Sequence, residues 1–441
     1  MKWSKYNFLY RSEKHGYLLF NMLSGAFLDI NEPKTRDIIL KIQDSPANYD
    51  FSDDKELLDI LINYGVLCVS DDSVNENKAL FQTLHQRFNE DIRTLVIMPT
   101  LNCNLRCSYC FVGENLKHVE MSDEIIQRLK NYLKEEYSGK VKFINVEWYG
   151  GEPLLCFQTI KDLTEYIKSL DIPFRAGIIT NGTLLTCDKI LQLKELCISE
   201  IQITIDGTRT THDTRRMFPN KNGTYDIILH NLELLHKYVE DNTELIINIR
   251  LNIDKYNQAE YHIIYNELRK KFPLFNLYPG ILTQYQTCIS LINCFENQEE
   301  VAEFLLDQYD KYGIDSGGFY PMLKGNRPCM SECVNTDMIG PNGEMYLCLK
   351  DVGDEKEIIG NIFTGKSNTS KLARYCVENI KQLHKEPCLS CQVKWLCGGG
   401  CPNHLYRKQQ YGEKHDVCIP LRNKKILQKY LDLHYEFKQK I

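Results

Sequence analysis

No run of apolar residues in this 441-residue chain approaches the roughly 18 that a bilayer-spanning helix requires, which excludes a transmembrane span. Basic charge is not in excess either: 53 Lys and Arg stand against 59 Asp and Glu, a formal net charge of -6. That balance excludes the strongly basic face of a nucleic-acid or anionic-membrane binder and leaves a peptide or small molecule as the expected partner. The first residues, Met1-Lys2-Trp3-Ser4-Lys5-Tyr6-Asn7, lack the apolar core of about 7–15 residues and the small-residue cleavage site of a secretory signal. The expected location is therefore cytoplasmic, where disulfides are rare. What the chain has in abundance is cysteine, 18 residues, and clustered cysteines in a reducing compartment point to metal.

The first dense group is Cys103-Asn104-Leu105-Arg106-Cys107-Ser108-Tyr109-Cys110, directly after an apolar strand at 95–98. Structural zinc sites and fully protein-ligated cubane clusters take four protein ligands, so three thiols leave one iron of a cubane open. The plain alternative is three buried cysteines serving as small apolar residues. The C-x3-C-x2-C spacing resembles the signature of the radical S-adenosylmethionine (radical SAM) enzymes, in which the open iron is chelated by the amino and carboxylate groups of the cofactor. The resemblance implies that one electron passes to the sulfonium, a carbon–sulfur bond breaks, and a 5′-deoxyadenosyl radical takes hydrogen from the substrate. It also implies that Tyr109 lies near the adenine.

Apolar strands then alternate with amphipathic helices: strands at 95–98, 141–148, 176–180, 201–205, 245–251 and 275–283, helices at 122–137, 157–170, 187–196, 224–238, 258–271 and 299–312. Six βα units imply an α/β fold with a parallel sheet and right-handed crossovers. They are too few for eight-stranded closure, and the resemblance likewise implies a partial (β/α)6 barrel with its chemistry at the C-terminal strand ends. Tyr149-Gly150-Gly151-Glu152-Pro153-Leu154 follows the second strand; its glycines let backbone approach a ligand closely, and Glu152 can accept from an ammonium. It resembles the family's Gly-Gly-Glu-Pro, which holds the cofactor's amino group. Thr180-Asn181-Gly182-Thr183 after the third strand and Thr204-Ile205-Asp206-Gly207 after the fourth match further family loops, placing Thr204 and Asp206 near the ribose and methionine. An ordinary Asp-Gly turn is the alternative for the latter. Arg250 and Asn252, ending the fifth strand, are candidates for the cofactor carboxylate.

Residues 1–70 read as a hairpin (17–20 and 26–30 around Ser24-Gly25), a helix capped by Asn31, a second helix from Asp53 to Gly65, and a returning strand at 66–69. The order resembles the winged-helix-like element with which peptide-modifying enzymes add a precursor's leader as a strand. DNA binding is disfavoured by Asp53, Asp54, Glu56 and Asp59; a cap without a ligand is the other alternative. A polar linker is expected at 71–92, the barrel domain at 93–312 and a cysteine-rich domain at 313–441.

In that last domain Cys329, Cys333, Cys348, Cys388, Cys391, Cys397, Cys401 and Cys418 form two sets of four, with Gly398, Gly399 and Gly400 suiting a tight fold. Two zinc ribbons are one reading. The pattern resembles the SPASM extension of peptide-modifying radical enzymes, which implies two auxiliary 4Fe–4S clusters, the first on Cys329, Cys333, Cys348 and Cys401 and the second on Cys388, Cys391, Cys397 and Cys418. Cys68, Cys156, Cys187, Cys197, Cys288, Cys294 and Cys376 are expected to pack as core. The whole resemblance implies a maturase that crosslinks side chains of a ribosomally made precursor peptide, with S-adenosylmethionine, three 4Fe–4S clusters and a flavodoxin- or ferredoxin-type reductant. The alternatives are an anaerobic sulfatase-maturing enzyme, against which Leu349 stands where those relatives carry an aspartate, and a non-catalytic iron–sulfur or zinc protein.

Overall fold

The computed structural model describes residues 1–110, 119–282, 294–314, 328–415 and 417–438; Thr283 and Cys288 lie outside them. At its centre is an open ten-stranded sheet. Its edge strand is Asn276–Ile281, followed in space by Ile246–Ile253, Ile198–Ile205, Phe174–Thr180, Phe143–Trp148 and Ile92–Ile97, all parallel. The six expected strands thus lie side by side in chain order. A seventh parallel strand, Thr336–Ile339, joins the first, pairing Thr336 with Thr94 and Ile339 with Ile97. Three short antiparallel strands complete that edge.

The strands alternate. Ile144, Val146, Trp148, Ile201, Ile203, Ile205, Ile247, Ile249 and Leu251 are buried in one core with Leu129, Leu133, Ile160, Leu163, Leu232, Leu235 and Leu268 of the covering helices. The intervening residues, among them Asn145, Glu147, Arg175, Glu200, Gln202, Thr204, Asn248, Arg250, Asn252 and Tyr278, are polar. Parallel strands covered on both faces read as continuous apolar runs; this alternation instead gives the opposite face a polar lining. The helices follow expectation at Asp123–Tyr137, Phe157–Ser169, Tyr225–Asp241 and Gln298–Tyr312. The expected helix at 187–196 is helical only over Cys187–Ile190; turns follow, and Cys197 takes a φ of 55° to enter the next strand. Cys187 is exposed rather than core.

The N-terminal part corrects several expectations. Its sheet has three antiparallel strands, Asn7–Ser12, Gly16–Asn21 and Phe27–Asp29. The first escapes a search for alternation because three apolar residues stand in a row: Phe8 and Tyr10 pack on the C-terminal helix core while half-buried Leu9 packs on the other side. Glu32, not Asn31, caps the helix Pro33–Asp44, accepting from Lys34 N at 3.1 Å and Thr35 N at 2.6 Å. Asn31 is occupied with Tyr17 N and His15 O. The second helix is Lys55–Asn63, and Leu67–Cys68 pairs with Lys2–Trp3 instead of joining the three-stranded sheet. Most of the expected linker is a 16-residue helix, Ser73–Phe88, with Ala79, Thr83 and Arg87 buried.

A second core joins the two ends of the chain: Tyr6, Phe8, Tyr10, Leu18 and Phe20 pack with Val393, Trp395 and Leu396 of the cysteine-rich region and with Leu427, Tyr430 and Leu431 of the last helix, Lys424–Lys438. Among the described residues no helix is long and apolar enough to cross a membrane.

Candidate active site

The loop bearing Cys103, Cys107 and Cys110 leaves the strand Ile92–Ile97 and is clasped by the turn after the neighbouring strand. Gly151 N donates to Thr100 O at 3.0 Å and Glu152 N to Asn102 O at 2.9 Å. A Cβ on Gly150 would stand 2.2 Å from Thr100 O, and one on Gly151 2.2 Å from Asn102 O. The two glycines therefore serve a close approach to the cysteine loop itself. Glu152 is fully buried, and Pro153 opens a short 3-10 turn behind it. The Glu152 carboxylate accepts from Thr180 Oγ1 at 2.7 Å, Asn181 N at 2.8 Å and Leu154 N at 3.1 Å, which locks the ends of two strands together.

Asn104, inside the cysteine loop, closes the other side. Its amide donates to Thr183 Oγ1 at 2.9 Å and accepts from Asn181 Nδ2 at 2.8 Å. Asn181 Nδ2 also points at Cys103 Sγ, 3.8 Å away, and Leu105 N donates to the same sulfur at 3.4 Å. Such N–H donors tune a cluster's sulfur ligands. Burial pushes the Cys103 thiol up to about 12, so without a bound cation this sulfur holds its proton; coordination would remove it.

Tyr109 sits at the centre of a polar cluster. Its hydroxyl donates to Asp206 Oδ1 at 2.7 Å and accepts from Arg216 Nη1 at 2.8 Å and Asn252 Nδ2 at 2.9 Å. Buried Asp206 also faces Arg215 Nε at 3.1 Å, and Arg215 reaches on to Asp254 at 3.0 Å. The cysteine loop docks on the same segment through Arg106 N to Met217 O and Ser108 N to Arg215 O. Buried Arg216 keeps Nε without a hydrogen-bond partner among the described residues, a donor available to an anionic group. Arg250 stands beside Thr204 in register and donates to Asn252 Oδ1 at 3.0 Å. The fold thus gathers Tyr109, Thr180, Asn181, Asp206, Arg250 and Asn252 around the cysteine loop. Sequence reading missed Asn104, Arg215, Arg216 and Asp254; the adjacent arginines just after the Asp206-Gly207 turn were the available signal.

The later cysteines fall into two neighbourhoods. Cys388, Cys391, Cys397 and Cys418 line one recess, where Arg422 Nη1 donates to Cys418 Sγ at 3.3 Å. Burial, then the charges of Asp351 and Cys401, raise the Cys348 thiol. Cys333 donates to Cys329 O at 3.4 Å and lies among Glu332, Arg87 and Cys376. Gly398, Gly399 and Gly400 all take positive φ. Among the described residues no three His, Cys, Asp or Glu side chains converge as a lone metal ion would need.

Residues 97–263 match the family model of the Radical SAM superfamily. This chain contains a radical SAM domain. That domain implies a 4Fe–4S cluster and S-adenosylmethionine, and the donors around Cys103 fit them. A cysteine-type anaerobic sulfatase-maturating enzyme of Clostridium novyi (strain NT) is 26% identical over 342 residues, covering 70% of this chain and 87% of that protein. Among solved structures, native anSMEcpe with bound AdoMet shares the fold at a TM-score of 0.58 and 20% identity, covering 78% of this chain and 97% of that one. Streptococcus suis SuiB bound to precursor peptide SuiA aligns at a TM-score of 0.52 and 14% identity, covering 95% and 98% of the two chains. At these identities the structures speak for fold alone.

Proposed function

We propose that the protein is a cytoplasmic radical SAM maturase with a SPASM-type extension that crosslinks side chains of a ribosomally made precursor peptide. Cys103, Cys107 and Cys110 hold the cofactor-binding cluster, Cys329, Cys333, Cys348 and Cys401 a first auxiliary cluster, and Cys388, Cys391, Cys397 and Cys418 a second. When bound, cluster and S-adenosylmethionine supply a 5′-deoxyadenosyl radical that abstracts hydrogen. The chain's own part is to orient and exclude water: Glu152 fixes the floor of the site, Arg216 would offer its spare N–H to the cofactor carboxylate, and Tyr109, Asp206 and Asn252 would bind the adenosine portion. The polar concave face receives the peptide, the N-terminal sheet its leader, and a flavodoxin or ferredoxin supplies electrons.

The observation that carries this reading over sulfatase maturation is the position of Asp351, the acid nearest the Cys348 loop. It is 1% exposed, accepts from Asn403 Nδ2 at 2.8 Å, and lies 3.6 Å from Lys371 and 3.8 Å from Arg407. Burial, the amide of Asn403 and the two flanking cations support a structural role for this carboxylate, although its Oδ2 has no hydrogen-bond partner among the described residues and burial pushes the carboxyl up to about 6. Sulfatase maturation remains the second reading because of the C. novyi relative. Anaerobic reconstitution with dithionite, S-adenosylmethionine and either a genomically adjacent precursor or a sulfatase-type peptide separates them. Loss of two hydrogens from the precursor, retained with Asp351→Asn, supports peptide crosslinking. An aldehyde on the sulfatase peptide, abolished by Asp351→Asn, would favour the second reading.

A further inference from the structure

Lys394 stands between Cys391 and Cys397, lines the recess that their thiols share with Cys388 and Cys418, and is only 3% exposed. Its ammonium lies 3.3 Å from Glu76 Oε1 on the helix Ser73–Phe88, and over the rings of Tyr6 and Trp395 at 5.8 and 5.5 Å. The same carboxylate oxygen faces Lys5 Nζ at 2.8 Å and accepts from the Tyr6 hydroxyl. One carboxylate thus serves two ammonium groups, and the one that lines the recess is the buried one. Arg422 is the other cation of that lining, which holds no acid among the described residues. Gln392 fixes the loop, donating to the carbonyls of Lys5 at 3.2 Å and Asn7 at 2.6 Å. A buried ammonium that shares its counter-ion is costly; four thiolates around a cluster would supply the missing negative charge.

We propose that the charge of Lys394 sets the reduction potential of the cluster held by Cys388, Cys391, Cys397 and Cys418, and that Glu76 counters it from the helix Ser73–Phe88. The inference rests on the proposed second auxiliary cluster. Cluster potentials follow local charge, hydrogen bonds to sulfur and solvent access. Four thiolates around a 4Fe–4S core carry a net negative charge, and gaining one electron deepens it. A fixed cation nearby therefore favours the reduced form, and an anion opposes it. Burial gives Lys394 its weight, because charges kept from water are screened far less than exposed ones; Lys5, 54% exposed, counts for less. No covalent bond forms or breaks: a reductant loses one electron and the cluster gains it.

The test is an anaerobic redox titration of the full-length, reconstituted protein with dithionite and mediators, read by electron paramagnetic resonance. The relevant signal is the one lost in Cys388→Ala. Lys394→Met leaves Glu76 its partner Lys5 and is expected to lower the ratio of reduced to oxidised cluster about tenfold at a fixed potential, about 59 mV for a one-electron couple. Glu76→Gln is expected to shift the couple the opposite way, and Lys394→Arg, which keeps the charge, to leave the ratio within about twofold of wild type. Opposite shifts from the two partners of one ion pair are the mark of charge, because damage to the packing moves both variants alike. Unshifted couples in Lys394→Met and Glu76→Gln at full iron content overturn the proposal and leave the cluster standing. Shifts of one sign in both, or iron lost from Lys394→Met and Lys394→Arg together, overturn it in favour of a packing role. Wild-type protein that holds no cluster at these four cysteines overturns the reading beneath it.

Discussion

Arg87 and Glu332 form a 2.7 Å ion pair whose side chains are only 2% and 1% exposed. The pair binds the helix Ser73–Phe88 to the loop of Cys329 and Cys333, because the other Glu332 oxygen accepts from Cys329 N at 2.7 Å and Arg87 Nη1 donates to Cys376 O at 3.0 Å. What reads as a linker is thus the strut behind a proposed cluster loop. Arg87→Met leaves Glu332 buried without a counter-ion and is expected to cost about 3–5 kcal/mol. Chemical denaturation checks this, and adding Glu332→Leu is expected to restore most of the loss.

The clasp between the two loops predicts a contrast between two glycines. In Gly151→Ala the new methyl meets the backbone oxygen of Asn102 at 2.2 Å, which cannot yield without moving the cysteine loop. In Gly177→Ala it meets Glu147 Oε2 at 2.6 Å, the far end of a flexible side chain. The first variant is therefore expected to lose most of its 5′-deoxyadenosine production and part of its iron while keeping its circular dichroism. The second is expected to keep both within about twofold, allowing for a small rotamer cost. Comparable losses in the two variants would contradict the clasp.

Glu147 predicts a pH dependence. Burial and then the neighbouring Glu200 push its carboxyl up from 4.5 to about 8, and it makes no hydrogen bond or ion pair among the described residues. At acidic pH folded and unfolded chains both carry the proton. As pH rises from about 4.5 to about 8 the unfolded chain ionises first, so this group's contribution to stability falls and then levels off. Glu147→Gln removes the loss. Its unfolding midpoint relative to wild type is expected to rise between pH 5 and pH 8.5, by at least about 1 kcal/mol in stability. A constant difference across that range would show that the carboxyl titrates normally.

The joined core at the two chain ends makes removal of residues 1–70 a structural change. Tyr10 donates to Asp432 at 3.0 Å and His15 lies 3.0 Å from Glu436, beside the shared apolar packing of Phe8, Phe20, Trp395 and Leu431. The truncated chain is expected to aggregate or melt well below the full protein in a thermal scan, since it exposes a contiguous apolar patch.

By itself the sequence determined what depends on spacing and period. Three thiols within eight residues, six strands with helices between them, and glycines before Glu152 follow from chemistry that is local in the chain, and the parallel sheet then brings successive strand ends together. Tertiary structure alone decided what those ends hold. Nothing local marks Asn104 as the bridge to Thr183, Arg216 as the donor left with a spare N–H, or Asp351 as an acid locked behind its loop, because each role is set by partners tens to hundreds of residues away. The same holds for Asn7–Ser12, where Phe8, Leu9 and Tyr10 stand in a row and pack to opposite sides, and for Asn31, which lost its capping role to Glu32 once the three-stranded sheet claimed its amide. Burial and partner geometry, both properties of the folded chain, made those choices.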